Sequence, residues 1–288
     1  MSTIAIIGGS GLYELDGLED VQEVTIDTPF GPTSDKLITG KLGGANLIFV
    51  PRHGRGHKHL PSEVPYQANI YALKQMGATW VLSVSAVGSM RKEIVPGHFV
   101  LPDQFIDRTS GRTQTFFGDG IVAHVSMADP VCPVLKAKVA ESVRASGITL
   151  HENGTYMCME GPAFSSRAES NMYRQWGVSV IGMTACPEVK LAREAELRYA
   201  TLALSTDYDC WHEEEDDVNV ESVLEILKRN TANVKVVLKH LIPELAKMPS
   251  DTTSPCDNAL EHAIITNPDA IPEAAKEKLA PLVKRYLG

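Results

Sequence analysis

Small hydroxyl and glycine residues follow apolar, strand-like runs at three points of the chain. The segments are "IAIIGGSGL" from residue 4, "VSAVGS" from residue 84 and "GMTACPE" from residue 182. The carboxyl ends of parallel strands meet at one edge of an α/β sheet, where ligands bind. Hydroxyls and backbone N–H groups in such turns bind compact anions. Ser10, Ser85 and Thr184 are therefore candidate oxyanion ligands.

The first of these loops does not match the glycine patterns of nucleotide-binding loops. A dinucleotide fingerprint that starts at Gly9 needs a third glycine where the chain has Glu14, and no Gly-Lys follows at P-loop spacing. An NAD-dependent oxidoreductase is disfavoured on this ground. Taken by itself, the loop is equally consistent with a tight strand-to-helix turn that binds nothing.

A cluster of basic residues, "PRHGRGH" at positions 51–57, strengthens the prediction of an anion site. Arg52 is a residue type that binds oxyanions through two parallel N–H groups, and His53 stands beside it. Two arginines and two histidines are not expected in an apolar core, so we predict a surface or a site here. With the three hydroxyl-bearing strand ends, this cluster favours a site for one inorganic phosphate.

Two carboxylates end a fourth apolar run, "ALSTDYDCW" at positions 203–211. At spacing i, i+2 in an extended segment, Asp207 and Asp209 point to the same side. Close carboxylates readily retain a proton, which suits binding to a heterocycle with donor and acceptor edges. A calcium-like loop and an ordinary Asp turn are the alternatives, and calcium is weakened because further regularly spaced oxygen ligands are missing.

Composition narrows the class of protein. The chain has 288 residues, 43% of them apolar, and a net charge of −9, which argues against a nucleic-acid partner. No apolar stretch approaches the roughly 20 residues of a membrane span, and we expect no signal peptide. The five cysteines form no C-x-x-C pair, so we expect reduced thiols, a cytoplasmic location and no metal site.

Apolar runs alternate with helix-like segments, which predicts an α/β fold around a buried sheet. The predicted strands are residues 3–7, 46–51, 80–86, 98–101, 120–125, 154–159, 178–183 and 199–205. The predicted helices are residues 66–76, 133–146, 187–195 with a proline in the first turn, and a long helix from near Asn219 to just before Pro243. Residues 256–288 are predicted to hold a short amphipathic segment and a helix with Leu279, Leu282, Val283 and Tyr286 on one side. The acidic run at residues 213–217 is predicted to be a solvated loop.

Eight segments in the same order resemble the trimeric purine nucleoside phosphorylase family. They are "IIGGSGL", "PRHGRGH", "YQANIYALK", "VSAVGSMR", "DQFIDRT", "MEGPAFSSRAES", "GMTACPEVKLAREA" and "TDYDCW". The resemblance implies a twisted mixed β-sheet core, partly closed into a barrel and flanked by helices, and assembly as a homotrimer. It implies a phosphorylase domain at residues 1–248 and a tail at residues 249–288 that packs on the body or on a neighbouring subunit. The loop at residues 213–217 would gate the site.

The resemblance also implies roles for individual residues. Phosphate would be a co-substrate, with no metal or organic cofactor, and its ligands would be Ser10, Arg52, His53, Ser85, Ala86 and Thr184. The nucleoside would contact Phe164, Ser165, Met183, Asp207, Asp209, Val220, Val223, Leu224 and His124. Asp207 would be the catalytic acid, and Ser165 and Val220 would determine specificity.

Two features predict the substrate within this family. A carboxylate accepts from the 6-amino group of adenine, whereas relatives that use 6-oxopurines typically carry asparagine there, so Asp207 and Asp209 favour adenine. Val220 stands where relatives place a histidine for the 5′-hydroxyl, and an apolar side chain suits a methylthio group instead. The expected reaction is phosphorolysis of methylthioadenosine. The alternatives are a methylthioinosine or general purine nucleoside phosphorylase and, in another class, a nucleoside-binding protein without activity.

Overall fold

A computed structural model describes residues 2–9, 11–212, 220–249 and 251–287, with only the backbone of residues 220–223. The strands are β1 (Thr3–Gly8), β2 (Glu19–Val24), β3 (Leu37–Leu42), β4 (Ala45–Pro51), β5 (Trp80–Ser89), β6 (Phe99–Leu101), β7 (Gln104–Arg108), β8 (Leu150–Glu152), β9 (Thr155–Met159), β10 (Val180–Gly182) and β11 (Arg198–Asp207). The helices are α1 (Tyr66–Gln75), α2 (Pro133–Ala145), α3 (Arg167–Gln175), α4 (Ala185–Glu194), α5 (Val220–Ala246), α6 (Glu273–Lys278) and α7 (Ala280–Leu287).

The eleven strands among the described residues belong to one mixed sheet. Strands β4, β1, β5 and β11 are adjacent and parallel, and they form its centre. Side chains of β1 are buried on both faces, with Ile4 and Ile6 in one core and Ala5 and Ile7 in the other. Burial on both sides explains why this strand is continuously apolar rather than alternating.

Part of the sheet closes on itself. Strand β5 pairs with β11 along one edge and with β10 near its carboxyl end. From β11 the pairing continues to β6, and from β10 to β9, which pairs with β7. Strand β7 follows β6 after two residues, so the chain itself joins the two ends of this partly closed ring. The predicted fold class, a mixed sheet partly closed into a barrel and flanked by helices, is confirmed.

Helices cover both faces of the sheet. Helices α2 and α5 pack on one face through residues such as Leu135, Val139 and Leu238. Helices α1 and α4 pack on the other face, together with residues of the C-terminal tail such as Leu279 and Leu282. These residues of the tail therefore lie against the body of their own chain.

Several predicted elements differ from the structure. Residues 120–125 form only isolated bridges, because this segment pairs at single points with Gly118 and with Ile264. Helix α4 is bounded at Ala185, two residues before the predicted start, but Cys186 has extended backbone angles, so the continuous helix begins at Pro187 with the proline in its first turn, as predicted. Helix α5 continues through Pro243 to Ala246, since its buried apolar side chains extend past the proline. The acidic run at residues 213–217 and Asn219 lie outside the described residues. Strands β2, β3, β7 and β8 and helix α3 were not predicted.

Candidate active site

The parallel central strands bring the predicted ligands to one edge. In register, Gly8 lies beside Pro51, and Ser85 and Ala86 lie beside the second half of β11, which ends at Asp207. The turns after β1, β4, β5 and β11 thus share the carboxyl edge of the sheet, as predicted from the sequence.

Two predicted phosphate ligands meet directly. The hydroxyls of Ser85 and Thr184 are 3.3 Å apart, and Ser85 Oγ is 3.1 Å from the Tyr156 hydroxyl. Thr184 precedes α4 but makes no side-chain capping bond to it, so its hydroxyl remains directed to Ser85. Ala86 is exposed at the same strand end, which leaves its backbone accessible. Ser10 lies outside the described residues.

Arg52, for whose basic cluster the sequence predicted a surface or a site, is buried. Its Nε donates to Glu188 Oε2 at 2.8 Å, and its Nη2 donates to Ser83 Oγ at 2.7 Å and Glu188 Oε1 at 3.2 Å. Nη1 donates to the Val84 carbonyl at 2.9 Å. Burial is tolerated because Glu188 neutralises the guanidinium. Described acceptors use four of its five N–H groups, which leaves one, on Nη1, for a ligand.

His53 is half-buried with a defined tautomer. Its Nδ1 lies 2.9 Å from the His59 carbonyl oxygen, which can only accept, so Nδ1 carries a proton. Burial lowers the pKa of His53 to about 4, and the neutral ring therefore has a lone pair on Nε2. The ring stacks on His57 with centroids 4.3 Å apart. The fourth basic residue of the cluster, Arg55, forms surface ion pairs with acidic side chains.

Asp207 and Asp209 converge, but not through the extended geometry predicted for them. Strand β11 ends at Asp207 after a register shift, and Asp209 has a left-handed φ of 54°. A Cβ added to Gly88 would lie 2.8 Å from Asp207 Oδ1 and 3.5 Å from Asp209 Cβ, so both residues pack on this glycine. Burial raises the pKa of both carboxyl groups. The pair therefore holds a proton more readily than exposed carboxylates do.

The remaining nucleoside residues lie on two touching loops. Phe164 and Ser165 are in the loop after β9, where Phe164 is 47% exposed and Ser165 is buried. Met183 is in the loop after β10. A Cβ added to Gly161 would lie only 2.5 Å from Met183 Sδ, and Gly161 has a left-handed φ of 70°, so glycine is required here. This close approach joins the two loops into one surface.

The other predicted contacts are not assembled with these residues in the described chain. The side chains of Val220 and Val223 lie outside what the structure describes, and Leu224 is 57% exposed on α5. His124 is also exposed, and its backbone N–H donates to the carbonyl of Ala263 in the tail. The described contacts of its segment are thus with the tail.

Two important charged residues were not predicted. Glu188 neutralises Arg52, and Arg112 joins the loops after β9 and β10. A glutamate inside the otherwise apolar start of a helix indicates a buried ion pair, because such a charge needs a partner. No comparable sequence signal marks Arg112, since its acceptors are mainly backbone carbonyls distant in sequence.

The described part of the chain contains neither a cluster of metal ligands nor a membrane-spanning helix. No group of three or more His, Cys, Asp or Glu side chains among these residues is arranged to hold a metal ion. None of the helices that the structure describes is both long and apolar enough to cross a membrane.

Comparisons with known proteins show the family of this chain and agree with its fold. The model of the phosphorylase superfamily matches residues 3–243, and the chain belongs to this superfamily. Curated relatives within it are S-methyl-5′-thioadenosine phosphorylases: those of Geobacter sulfurreducens and Thermosynechococcus vestitus are 55% and 53% identical, each over 99% of both chains.

Solved structures of similar proteins extend over nearly the whole chain. A methylthioadenosine phosphorylase from an antarctic soil metagenomic library is 47% identical, with a TM-score of 0.93 over 98% of both chains. The methylthioadenosine phosphorylase of Schistosoma mansoni in complex with adenine is 32% identical, with a TM-score of 0.82 over 98% of both chains.

Proposed function

We propose that the protein catalyses phosphorolysis of S-methyl-5′-thioadenosine, giving adenine and 5-methylthioribose 1-phosphate. The observation that carries the proposal is the placement of an oxyanion-type cluster and a proton-retaining carboxylate pair at one sheet edge. Curated relatives of similar length and high identity are named for this substrate.

In the proposed reaction, phosphate binds to the Ser85 and Thr184 hydroxyls, the loop that contains Ser10 and the Nη1–H of Arg52 that no acceptor among the described residues uses. Because Glu188 neutralises Arg52, the anion is held by directed hydrogen bonds rather than by a net positive charge of this pair. Neutral His53 offers a lone pair at Nε2 to the oxygen that carries the proton of HPO₄²⁻. The bound oxyanion then attacks C1′ on the face opposite the base.

The carboxylate pair acts on the leaving group. As the C1′–N9 bond breaks, negative charge accumulates on adenine and positive charge on the ribosyl ring. Asp207, with its raised pKa, donates a hydrogen bond or proton to N7, as a general acid does. Asp209 accepts from the 6-amino group, and Phe164 packs against the purine ring.

The preference for a methylthio group is proposed from Val220, with Val223 and Leu224 beside it in sequence. Replacing Val220→His should raise kcat/KM for adenosine relative to methylthioadenosine, because an imidazole can bond the 5′-hydroxyl that valine leaves unpaired. An unchanged ratio between the two substrates would place the methylthio pocket elsewhere.

A phosphate-dependent cleavage assay tests the function. Methylthioadenosine, adenosine and methylthioinosine are each incubated with the enzyme, with and without inorganic phosphate, and the released base is separated by chromatography. We expect adenine from methylthioadenosine, only when phosphate is present. Cleavage without phosphate, or release of hypoxanthine but no adenine, would contradict the proposal.

We also propose that the enzyme is a cytoplasmic homotrimer that serves purine and methionine salvage and needs no metal or organic cofactor. An exposed apolar pair beside His124 supports an interface on that face: Val122 and Ile265 are 43% and 64% exposed and joined by a backbone hydrogen bond. Sedimentation equilibrium measures the assembly state, and Val122→Glu should weaken the assembly.

Dialysis against a chelator tests the metal requirement. Activity that survives the dialysis would support the absence of such a requirement, and a loss of activity that a divalent ion restores would contradict it.

A further inference from the structure

The Arg112 guanidinium lies at the junction of the two site loops. Its side chain is 1% exposed, in the segment that follows β7. Nη1 donates to the carbonyls of Met183 at 2.6 Å and Cys186 at 2.7 Å. Nη2 donates to the Glu160 carbonyl at 2.7 Å, and Nε donates to the Glu160 carboxylate at 3.0 Å. The planar guanidinium thus binds Glu160, the first residue of the loop after β9, and the backbone on both sides of Thr184.

This contact set depends on the shape of the side chain. Four acceptors surround the guanidinium in different directions, and Nη1 is also 3.1 Å from the Tyr66 hydroxyl. A lysine ammonium has three donors on one atom and cannot reach acceptors on opposite sides of a planar fork. Arg112→Lys would therefore keep the charge and lose part of the geometry.

The charge of Arg112 is balanced locally. Glu160 forms the ion pair with Arg112 and also accepts from the backbone N–H groups of Ser110 at 2.5 Å and Gly111 at 3.3 Å. The carboxylate therefore ties the segment containing Arg112 back to the loop after β9. The contact of Gly161 with Met183 lies directly beside this ion pair.

We propose that Arg112 is a positioning residue that fixes the base-side loop of Phe164 and Ser165 against the loop of Met183 and Thr184. The nucleoside half and the phosphate half of the site are thereby held in a fixed arrangement relative to each other. Arg112 touches neither substrate and acts through the carbonyls and the carboxylate that it binds. The inference rests on the proposed function.

Steady-state kinetics of Arg112→Lys test the proposal. Displacement of reacting groups by about 1 Å can cost about 10²-fold in rate. We expect the KM values for methylthioadenosine and for phosphate both to rise, and kcat/KM to fall by about 10- to 100-fold. The wild-type enzyme is measured in the same series, and its failure to cleave methylthioadenosine would refute the proposed function rather than the role of Arg112.

Arg198→Lys is the matched control. Its guanidinium also binds a carboxylate, that of Asp257 at 2.7 Å, and a backbone carbonyl, that of Thr252, but these partners lie in the tail. We expect it to lose comparable stability in a thermal melt and to keep kcat and both KM values within about twofold. An Arg112→Lys enzyme whose kinetic losses are no larger than those of this control would overturn the proposal.

Glu160→Gln provides a second variant in case Arg112→Lys does not fold. It keeps the side-chain shape and removes the ionic part of the contact with Arg112. We expect both KM values to rise, by less than in Arg112→Lys because the backbone carbonyls still bind the guanidinium. An increase in only one KM would contradict the proposed coupling of the two loops.

Discussion

Glu194 is a buried carboxylate whose ionisation should make stability depend on pH. It lies at the end of α4, is 5% exposed and accepts hydrogen bonds from the Thr115 hydroxyl at 2.6 Å and the Phe116 N–H at 2.7 Å. Both donors are neutral. Burial raises the pKa of Glu194 from 4.5 to about 7, and these two bonds offset only part of that rise.

The direction of the pH dependence follows from the protonation state of Glu194 that the folded chain favours. Between these two pKa values the folded protein binds more protons than the unfolded chain, so stability falls as pH rises. A shift from 4.5 to about 7 corresponds to about 3 kcal/mol, the full cost being reached above the folded-state pKa. From pH 5 to pH 8 the free energy of unfolding should decrease by about 2.5 kcal/mol through this group alone.

The variant Glu194→Gln isolates this contribution. Its amide cannot ionise, and it can accept from the Phe116 N–H while donating to the Thr115 hydroxyl. Denaturant unfolding at pH 5 and pH 8 should show Glu194→Gln close to wild type at pH 5 and more stable by up to about 2.5 kcal/mol at pH 8.

The exposed residue Glu277 gives a matched control, and Glu277→Gln should leave the stability close to that of wild type. Other titrating groups affect wild type and variant equally, so only the difference between the two matters. A stability difference between Glu194→Gln and wild type that stays constant from pH 5 to pH 8 would refute the assignment of a raised pKa to Glu194.

Three further substitutions have expected outcomes. Asp207→Asn should lower kcat by about 10²- to 10⁴-fold with small change in the KM for phosphate, and a near-normal rate would mean that another group protonates N7. Glu188→Gln should destabilise the fold by about 3–5 kcal/mol in denaturant unfolding, since Arg52 then stays buried without a counter-charge. A denaturation midpoint equal to that of wild type would argue against a stabilising Arg52–Glu188 ion pair. Gly161→Ala should cost about 1–2 kcal/mol through its left-handed backbone and raise the KM for the nucleoside by displacing Met183, whereas unchanged kinetics would show that the loops separate freely.

Much of the fold could be predicted because its signals are local. Buried strands such as β1 and β5 are continuous apolar runs, and helices such as α2 show one apolar face, so periodicity locates them. Strand β2 was missed because five of its six residues are exposed, as befits an edge strand. Helix α3 was missed because it is mainly polar and buries only Ser170 and Tyr173, although its Ser166–Glu169 capping box is a sequence signal.

The sequence by itself determined which chemistry the chain can perform. The types of ligand were indicated by hydroxyls at strand ends, a basic loop and two carboxylates. These signals can be read from the sequence because side-chain chemistry and strand-end positions depend on residue identity and local pattern alone. The resemblance of eight ordered segments extended those positions to individual roles.

Only the tertiary structure decided how those groups are held. Arg52 is buried because Glu188, 136 positions later, neutralises it, and a pairing over that distance leaves no mark in local pattern. Asp207 and Asp209 meet through a left-handed turn instead of an extended strand. Arg112 binds carbonyls that every residue type possesses, so its acceptors are defined by backbone position in the folded chain and cannot be read from residue identity.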